Sequence, residues 1–182
     1  MKITVITGSP RSNGNSFAMT MAFIREAEKC GHQVQRFDAA SMKVNGCSSC
    51  MTCYKSGRAC TFNVEFDAVA SSILDADAVI FSTPVYWYSI PAQIKGGIDC
   101  LFSLVVGSKD YAGKKWGLLT CCEEHDVTVM DGVRIPLERT AALLKWEKVG
   151  EVLVPGVLEV GDINNTDGCE QAVQLAQKLN QA

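Results

Sequence analysis

The segment Asp77–Thr83 holds Ala78-Val79-Ile80-Phe81, an unbroken apolar run closed by Ser82-Thr83-Pro84. A strand with one wet face alternates apolar and polar side chains, so a strand apolar on both faces needs covering on both. Helices on either side of a parallel sheet provide that cover, and the rest of the chain supplies them. Lys2–Thr7 is a β-branched run followed by a Gly/Ser/Asn loop and a helical pattern from Ser16 to about Cys30, closed by Gly31. Gln33–Phe37 reads as a second strand, and a helix follows from about Glu65 to Leu74. After the apolar strand, Pro91 stands where proline best opens a helix, here running to about Leu104. Lys115–Cys121 reads as a fourth strand, Val133–Lys148 as a helix, Gly150–Leu158 as a fifth strand and Gly168–Leu179 as a last helix. Strands alternating with helices predict an α/β fold with a doubly wound parallel sheet and helices on both faces.

Composition narrows the function. The chain has 182 residues, 47% of them hydrophobic, enough to bury a core in a single domain spanning 1–182. A net charge of −3 argues against nucleic acid or an anionic membrane as partner. No apolar run reaches the length of a bilayer span. The opening Met1-Lys2-Ile3-Thr4-Val5-Ile6-Thr7-Gly8 meets a glycine after too few apolar residues for a signal peptide. Nine cysteines without an export signal point to a reducing cytoplasm and to thiol chemistry, not to a disulfide framework.

Four of those cysteines fall in one stretch, Cys47, Cys50, Cys53 and Cys60, with the spacing C-x2-C-x2-C-x6-C in a loop over residues 46–61 after the second strand. Thiolates at every third residue converge when their loop wraps a compact object, and a 4Fe–4S cube is such an object. Zinc more often takes two separated C-x2-C pairs or a mixed cysteine–histidine set. A cluster of thiols that holds no metal is the third reading. No proline follows Cys60, which points to one cluster and not to a two-cluster arrangement.

Three further loops lie where parallel strands end, the edge at which such sheets bind ligands. Gly8-Ser9-Pro10-Arg11-Ser12-Asn13-Gly14-Asn15-Ser16 is neither the dinucleotide fingerprint nor the Walker loop, yet it has what a phosphate needs. Its glycines let N–H groups approach, its hydroxyls and amides donate, Arg11 brings charge, and a helix N-terminus follows. The competing reading is a polar turn with Asn15 or Ser16 as helix cap. Thr83-Pro84-Val85-Tyr86-Trp87-Tyr88 places adjacent aromatics in a loop, suited to cover a planar heterocycle or to meet another subunit. Thr120-Cys121-Cys122 closes the fourth strand beside them; its thiols are reactive groups or, more simply, small buried residues. His32 reads as a surface turn residue and His125 as a solvated loop residue with a proton-donor alternative. No triad or carboxylate pair is evident, so no catalytic side chain is assigned.

With those loops in view the chain resembles the NAD(P)H-dependent FMN reductase group of flavodoxin-like proteins, and most closely the iron–sulfur flavoproteins. The resemblance is carried by Gly8-Ser9-Pro10-Arg11 with Gly14-Asn15-Ser16, the cysteine run, Asp77 through Trp87, and Gln93-Ile94-Lys95 leading to Asp99. It spans roughly residues 1–125; beyond them only the β–α pattern agrees. The resemblance implies a five-stranded sheet in the order 2-1-3-4-5 with FMN at its edge. It assigns the phosphate to Ser9, Arg11, Asn13, Asn15 and Ser16, and the isoalloxazine to Thr83, Pro84, Val85, Tyr86 and Trp87 with Thr120, Cys121 and Cys122. It also implies a homodimer or homotetramer with the cluster loop near a subunit boundary. This chain departs from the group at Asn63-Val64, where many relatives carry an acidic pair.

The expectation is thus a cytoplasmic FMN-dependent oxidoreductase. It takes electrons from NAD(P)H or a redox protein such as a ferredoxin and relays them between FMN and one 4Fe–4S cluster held by Cys47, Cys50, Cys53 and Cys60. The first alternative is a cluster-free NAD(P)H-dependent FMN or quinone reductase. The second, of another class, is a non-enzymatic flavodoxin-type electron carrier, a kind of protein usually more acidic than this one.

Overall fold

The structure, a computed structural model, describes residues 1–180. Its elements in chain order are β1 (Lys2–Thr7), α1 (Asn15–Lys29), β2 (Gln33–Asp38), α2 (Phe66–Asp75), β3 (Ala78–Pro84), α3 (Ala92–Cys100), α4 (Phe102–Val106), β4 (Lys115–Cys121), α5 (Asp131–Leu143), β5 (Glu147–Val154) and α6 (Gly168–Lys178). The strands form one sheet in the order β2-β1-β3-β4-β5, and every neighbouring pair is parallel. The doubly wound α/β class and the expected order both hold.

Strand alternation sorts the core into two layers. Ile3 and Val5 of β1, Ile80 of β3 and Leu119 of β4 pack with Met19 and Phe23 of α1 and Leu175 of α6. Ile6, Val79, Phe81, Trp116 and Leu118 face the other way, against Phe66 and Ile73 of α2, Ile94 of α3, Leu104 of α4 and Leu137 of α5. Both faces of β3 are therefore dry, as its apolar run requires. The parallel strands all end at one edge, and the loops after β1, β2, β3, β4 and β5 gather there.

Two expectations shift. The single helix expected from Pro91 to Leu104 is divided into α3 and α4 at Leu101, whose N–H donates to Ile98 O at 3.1 Å, one residue short of the α-helical partner. The helix expected over Val133–Lys148 begins at Asp131 and ends at Leu143, and β5 runs Glu147–Val154 where Gly150–Leu158 was expected. The cause is Lys145, which takes the left-handed conformation (φ 58°) that usually belongs to glycine at a helix end. Lys145 N–H then donates to Ala142 O at 3.1 Å and Trp146 N–H to Ala141 O at 2.9 Å, the paired bonds of a Schellman stop. Trp146 is buried and its indole N–H reaches Tyr111 O at 2.6 Å, an anchor distant in sequence that holds the stop in place.

Candidate functional site

The loop after β1 crosses β3 at close range. Gly8 N–H donates to Ser82 O at 2.8 Å, and a Cβ on Gly8 would stand 2.3 Å from Thr83 Oγ1. Only glycine lets the chain pass here. Ser9 Oγ then accepts from Arg11 N–H at 3.1 Å, which sets the turn that presents Arg11. Arg11 is exposed, and its guanidinium has no ion-pair or hydrogen-bond partner among the described residues. Helix α1 starts behind it with Gly14 as N-cap, no capping side chain and no acidic residue in its first turn. Its orphan N–H groups and the positive end of its dipole therefore face the loop uncompensated. The capping alternative for Asn15 and Ser16 does not describe this helix.

Asn15 does something else. Its Nδ2 donates to Glu159 O at 2.9 Å, and its Oδ1 accepts from Gly161 N–H at 3.2 Å and Ile163 N–H at 3.3 Å. The Asp162 carboxylate accepts from the N–H groups of Leu158 and Glu159 at 3.0 and 2.8 Å. The loop after β5 is thereby latched to the loop after β1. Its residues Val157, Leu158 and Val160 form a wall that no sequence expectation contained: the strand expected over Gly150–Leu158 took in the first two, and Val160 lay beyond it.

The aromatic loop is a tight hairpin. Tyr86 and Ser89 exchange backbone hydrogen bonds of 3.0 Å each way, and Trp87 and Tyr88 between them have φ of 51° and 61°. Turns of this kind favour Asn-Gly, and a non-glycine residue held left-handed costs roughly 1–2 kcal/mol. Trp87 stands 94% exposed at the tip.

These pieces enclose one cleft of about 410 Å³, within the range of small-molecule sites. Ser9, Arg11, Asn15, Ser16, Pro84, Val85, Tyr86, Trp87, Cys121 and Cys122 line it, joined by Gly14, Glu123 and the Val157–Val160 wall. Asn13, Thr83 and Thr120 do not. Asn13 is exposed outside the cleft, while Thr83 and Thr120 are paired across β3 and β4 and fully buried. Thr120 Oγ1 has no hydrogen-bond partner, and Thr83 Oγ1 donates to Pro84 O at 3.1 Å. Burial pushes the Cys121 thiol up to about 12, with Cys122 adding to it. Burial also raises Cys122, whose S–H donates to Glu124 O at 3.3 Å. Both remain neutral thiols at physiological pH, which is the behaviour of small buried residues. His125 is exposed and lies outside the cleft walls; His32, expected at the surface, is buried with Nδ1 3.1 Å from the N-terminal amine.

The cysteine loop follows β2 and passes in front of α3 and α4. Cys47, Cys50, Cys53 and Cys60 all line a second cavity of about 370 Å³, with Met51, Phe62 and Phe102 among its apolar walls. Cys47 and Cys50 are exposed, Cys53 and Cys60 half-buried, and all are free thiols. Burial pushes Cys53 up, and the neighbouring Cys47, Cys50 and Cys60 push the same way. A hydrogen bond with the Thr52 hydroxyl, 3.1 Å away, draws Cys50 down. Among the described residues no three His, Cys, Asp or Glu side chains stand close enough together to hold a metal ion. The donor set matches a soft metal or cluster in kind and in location, while the thiols remain apart. Tyr54 pins the middle of the loop. Its ring lies where a Cβ on Gly107 would be 2.3 Å away, and the Lys109 ammonium sits 4.1 Å from the ring centre.

Comparison with known proteins agrees with this architecture. The chain is 32% identical to an iron-sulfur flavoprotein of Archaeoglobus fulgidus over its whole length and 80% of that protein. It is 35% identical to one from Methanocaldococcus jannaschii over 54% of this chain and 50% of that protein. Among solved structures, an NAD(P)H:quinone oxidoreductase from Methanothermobacter marburgensis superposes with a TM-score of 0.79 at 18% identity, covering 98% of this chain and 96% of that one. An FMN-dependent NADH-azoreductase from Bacillus anthracis, solved in complex with FMN, gives 0.70 at 12% identity over 98% and 99%. At those identities the two structures speak for the fold. The profile of the NADPH-dependent FMN reductase family matches residues 1–131, the stretch that builds the cleft except for its Val157–Val160 wall. The chain therefore belongs to the NADPH-dependent FMN reductase family and is an FMN-dependent oxidoreductase.

Proposed function

We propose that the cleft at the strand ends holds FMN and that the cysteine loop holds one 4Fe–4S cluster, so that the protein joins two-electron to one-electron chemistry. The observation that carries the FMN half is the unpaired Arg11 before an uncapped helix N-terminus, opening onto a largely apolar cleft. A terminal phosphate matches the charged end and a planar ring the apolar one. Ser9 and Ser16 line the charged end, whereas the Asn15 side chain is occupied in holding the β5 loop and serves the site by shaping it. Thr120 Oγ1, buried without a partner, stands just behind the cleft floor formed by Cys121.

When bound, FMN supplies hydride acceptance and one-electron release. The side chains around it place, orient and shield. Tyr86, Trp87, Leu158 and Val160 would give it apolar contact along the cleft walls. Neutral Cys121 and Cys122 add no charge there. Cys47, Cys50, Cys53 and Cys60 would hold the cluster as thiolates. NAD(P)H or a redox protein is the donor in this reading, and the exposed Trp87 tip favours a homodimer or homotetramer that covers it.

The test begins with the cofactor and metal content of anaerobically purified protein. Mass spectrometry of the heat-released flavin should give FMN; FAD would overturn the phosphate assignment. Iron and acid-labile sulfide should each approach about four per chain after reconstitution. The spacing of the thiols favours one competing reading, a cluster-free NAD(P)H-dependent FMN or quinone reductase. That reading predicts NAD(P)H oxidation at full rate in protein that takes up no iron under any condition.

A further inference from the structure

Asn63 is 4% exposed, lines the cysteine cavity without being among the expected ligands, and has every hydrogen-bonding atom of its side chain engaged. Its Oδ1 accepts from Asn45 N–H at 2.8 Å, while its Nδ2 donates to Asn45 O at 2.9 Å and to Cys100 Sγ at 3.2 Å. A carboxamide pairing both ways with one backbone residue copies a rung of β-ladder, and it does so across 18 residues of chain. The backbone N–H of Asn63 also donates to Cys60 Sγ at 3.4 Å. Asn45 and Asn63 stand at the two ends of the segment that contains all four loop cysteines. Cys47 follows shortly after Asn45 and Cys60 shortly precedes Asn63, so this pairing ties together the chain just outside the outermost two thiols.

We propose that Asn63 is a positioning residue for the thiolate set: its amide shuts the mouth of the cysteine loop and docks it on Cys100 at the end of α3. The proposal rests on the cluster reading for its purpose, though the bracket itself exists without metal. Inside that closed mouth, Cys50 and Cys53 lie on a segment with few backbone bonds and are free to close around a cluster. Closing the loop in advance removes the chain-entropy cost of bringing its ends together when the cluster enters. The N–H to Cys60 sulfur would add a hydrogen bond to a ligating sulfur, of the kind that tunes cluster potentials.

The decisive variant is Asn63→Ala, compared with wild type in two states. In metal-free protein, maleimide labelling located by peptide mass spectrometry should attack Cys100 roughly tenfold faster or more, and exchange of the Asn45 amide should speed up alike. In reconstituted protein, iron should be lost to a chelator faster by a similar factor, with FMN binding unchanged as the check that the domain is folded. Asn63→Asp is the second variant; it keeps the acceptor, loses the donors and adds a buried charge beside Cys60 and Cys100. It should lower the cluster's midpoint potential and leave the flavin's where it was. Wild-type Cys100 protection and iron retention in Asn63→Ala, or an unshifted cluster potential in Asn63→Asp, would overturn the assignment. If wild type takes up no iron, the cluster reading fails while the bracket stands or falls on Cys100 labelling and Asn45 exchange alone.

Discussion

Between Thr7 and Asn15 the chain is held by the fold itself: Gly8 presses on Thr83 and bonds to Ser82, Ser9 turns the backbone, and α1 begins at once behind. Between Gly46 and Thr61, on the neighbouring strand's loop, there is neither helix nor strand. That second loop keeps Ser49, Met51 and Tyr54 at positive φ, near 55°, 57° and 59°. Each such residue costs roughly 1–2 kcal/mol, and only a few backbone bonds within the loop, such as Tyr54 N–H to Arg58 O, offset it. It touches the domain at its Asn45–Asn63 mouth, at Tyr54 against Gly107, and through Ala59, whose N–H donates to Asp67 Oδ1 at 2.7 Å. The cleft is thus finished by folding. The cysteine loop is only outlined by it, and ligation would supply the ordering energy that the loop lacks.

The comparison breaks most readily at the thiols. Replacing Cys47, Cys50, Cys53 or Cys60 by serine should cut iron from about four per chain to less than one, with FMN binding retained. Cys30, Cys121, Cys122 and Cys169 should be dispensable for iron. Loss of FMN along with the iron would mean that the two regions are one folding unit.

Arg11→Ala addresses the other region. A charge-assisted hydrogen bond to a phosphate suggests FMN affinity about 10- to 100-fold weaker in a fluorescence titration, with riboflavin little affected because it has no phosphate. Equal losses for both ligands would remove Arg11 from the phosphate's end of the cleft.

A matched pair of glycine substitutions sharpens the contrast further. Gly8→Ala forces a methyl group onto Thr83 inside the sheet edge and should lower unfolding stability in urea by about 1–3 kcal/mol, weakening FMN as well. Gly107→Ala presses mainly on the Tyr54 ring, in the middle of a loosely held loop, with the Ser103 carbonyl oxygen next at 3.0 Å. It should cost less than about 1 kcal/mol globally, while speeding hydrogen exchange across residues 46–61. Similar global losses from the two would show that the cysteine loop is as integral as the cleft.

The smallest effect is expected at Trp87. At 94% exposure, Trp87→Ala should stay within about 0.5 kcal/mol of wild-type stability for the isolated chain. A larger loss that grows with protein concentration, accompanied by a smaller mass in light scattering, would place the tryptophan in contact with a second copy.

How much of this could be read in advance depended on whether the signal was local. The apolar run of β3 and the strand–helix alternation are local statements about periodicity, and they determined the fold class, the sheet edge and the loops that gather there. The residue types of Gly8–Ser16 and the cysteine spacing are local too, and both segments line cavities. What depended on distant partners could not be read. Lys145 ends α5 because Trp146 is anchored on Tyr111, which moved β5 and uncovered the Val157–Val160 wall of the cleft. Asn15 looked like a phosphate donor or a cap, yet its amide is taken by Glu159, Gly161 and Ile163. Asn63 stood out in the sequence only as a departure from an acidic pair, since its meaning lies in Asn45 and Cys100, which only the folded chain brings beside it. Periodicity and residue type are properties of a segment, so the sequence by itself determined the architecture and the chemistry on offer. A side chain with a fixed number of hydrogen bonds to make is committed by whichever groups burial places around it, and that choice belonged to the tertiary structure.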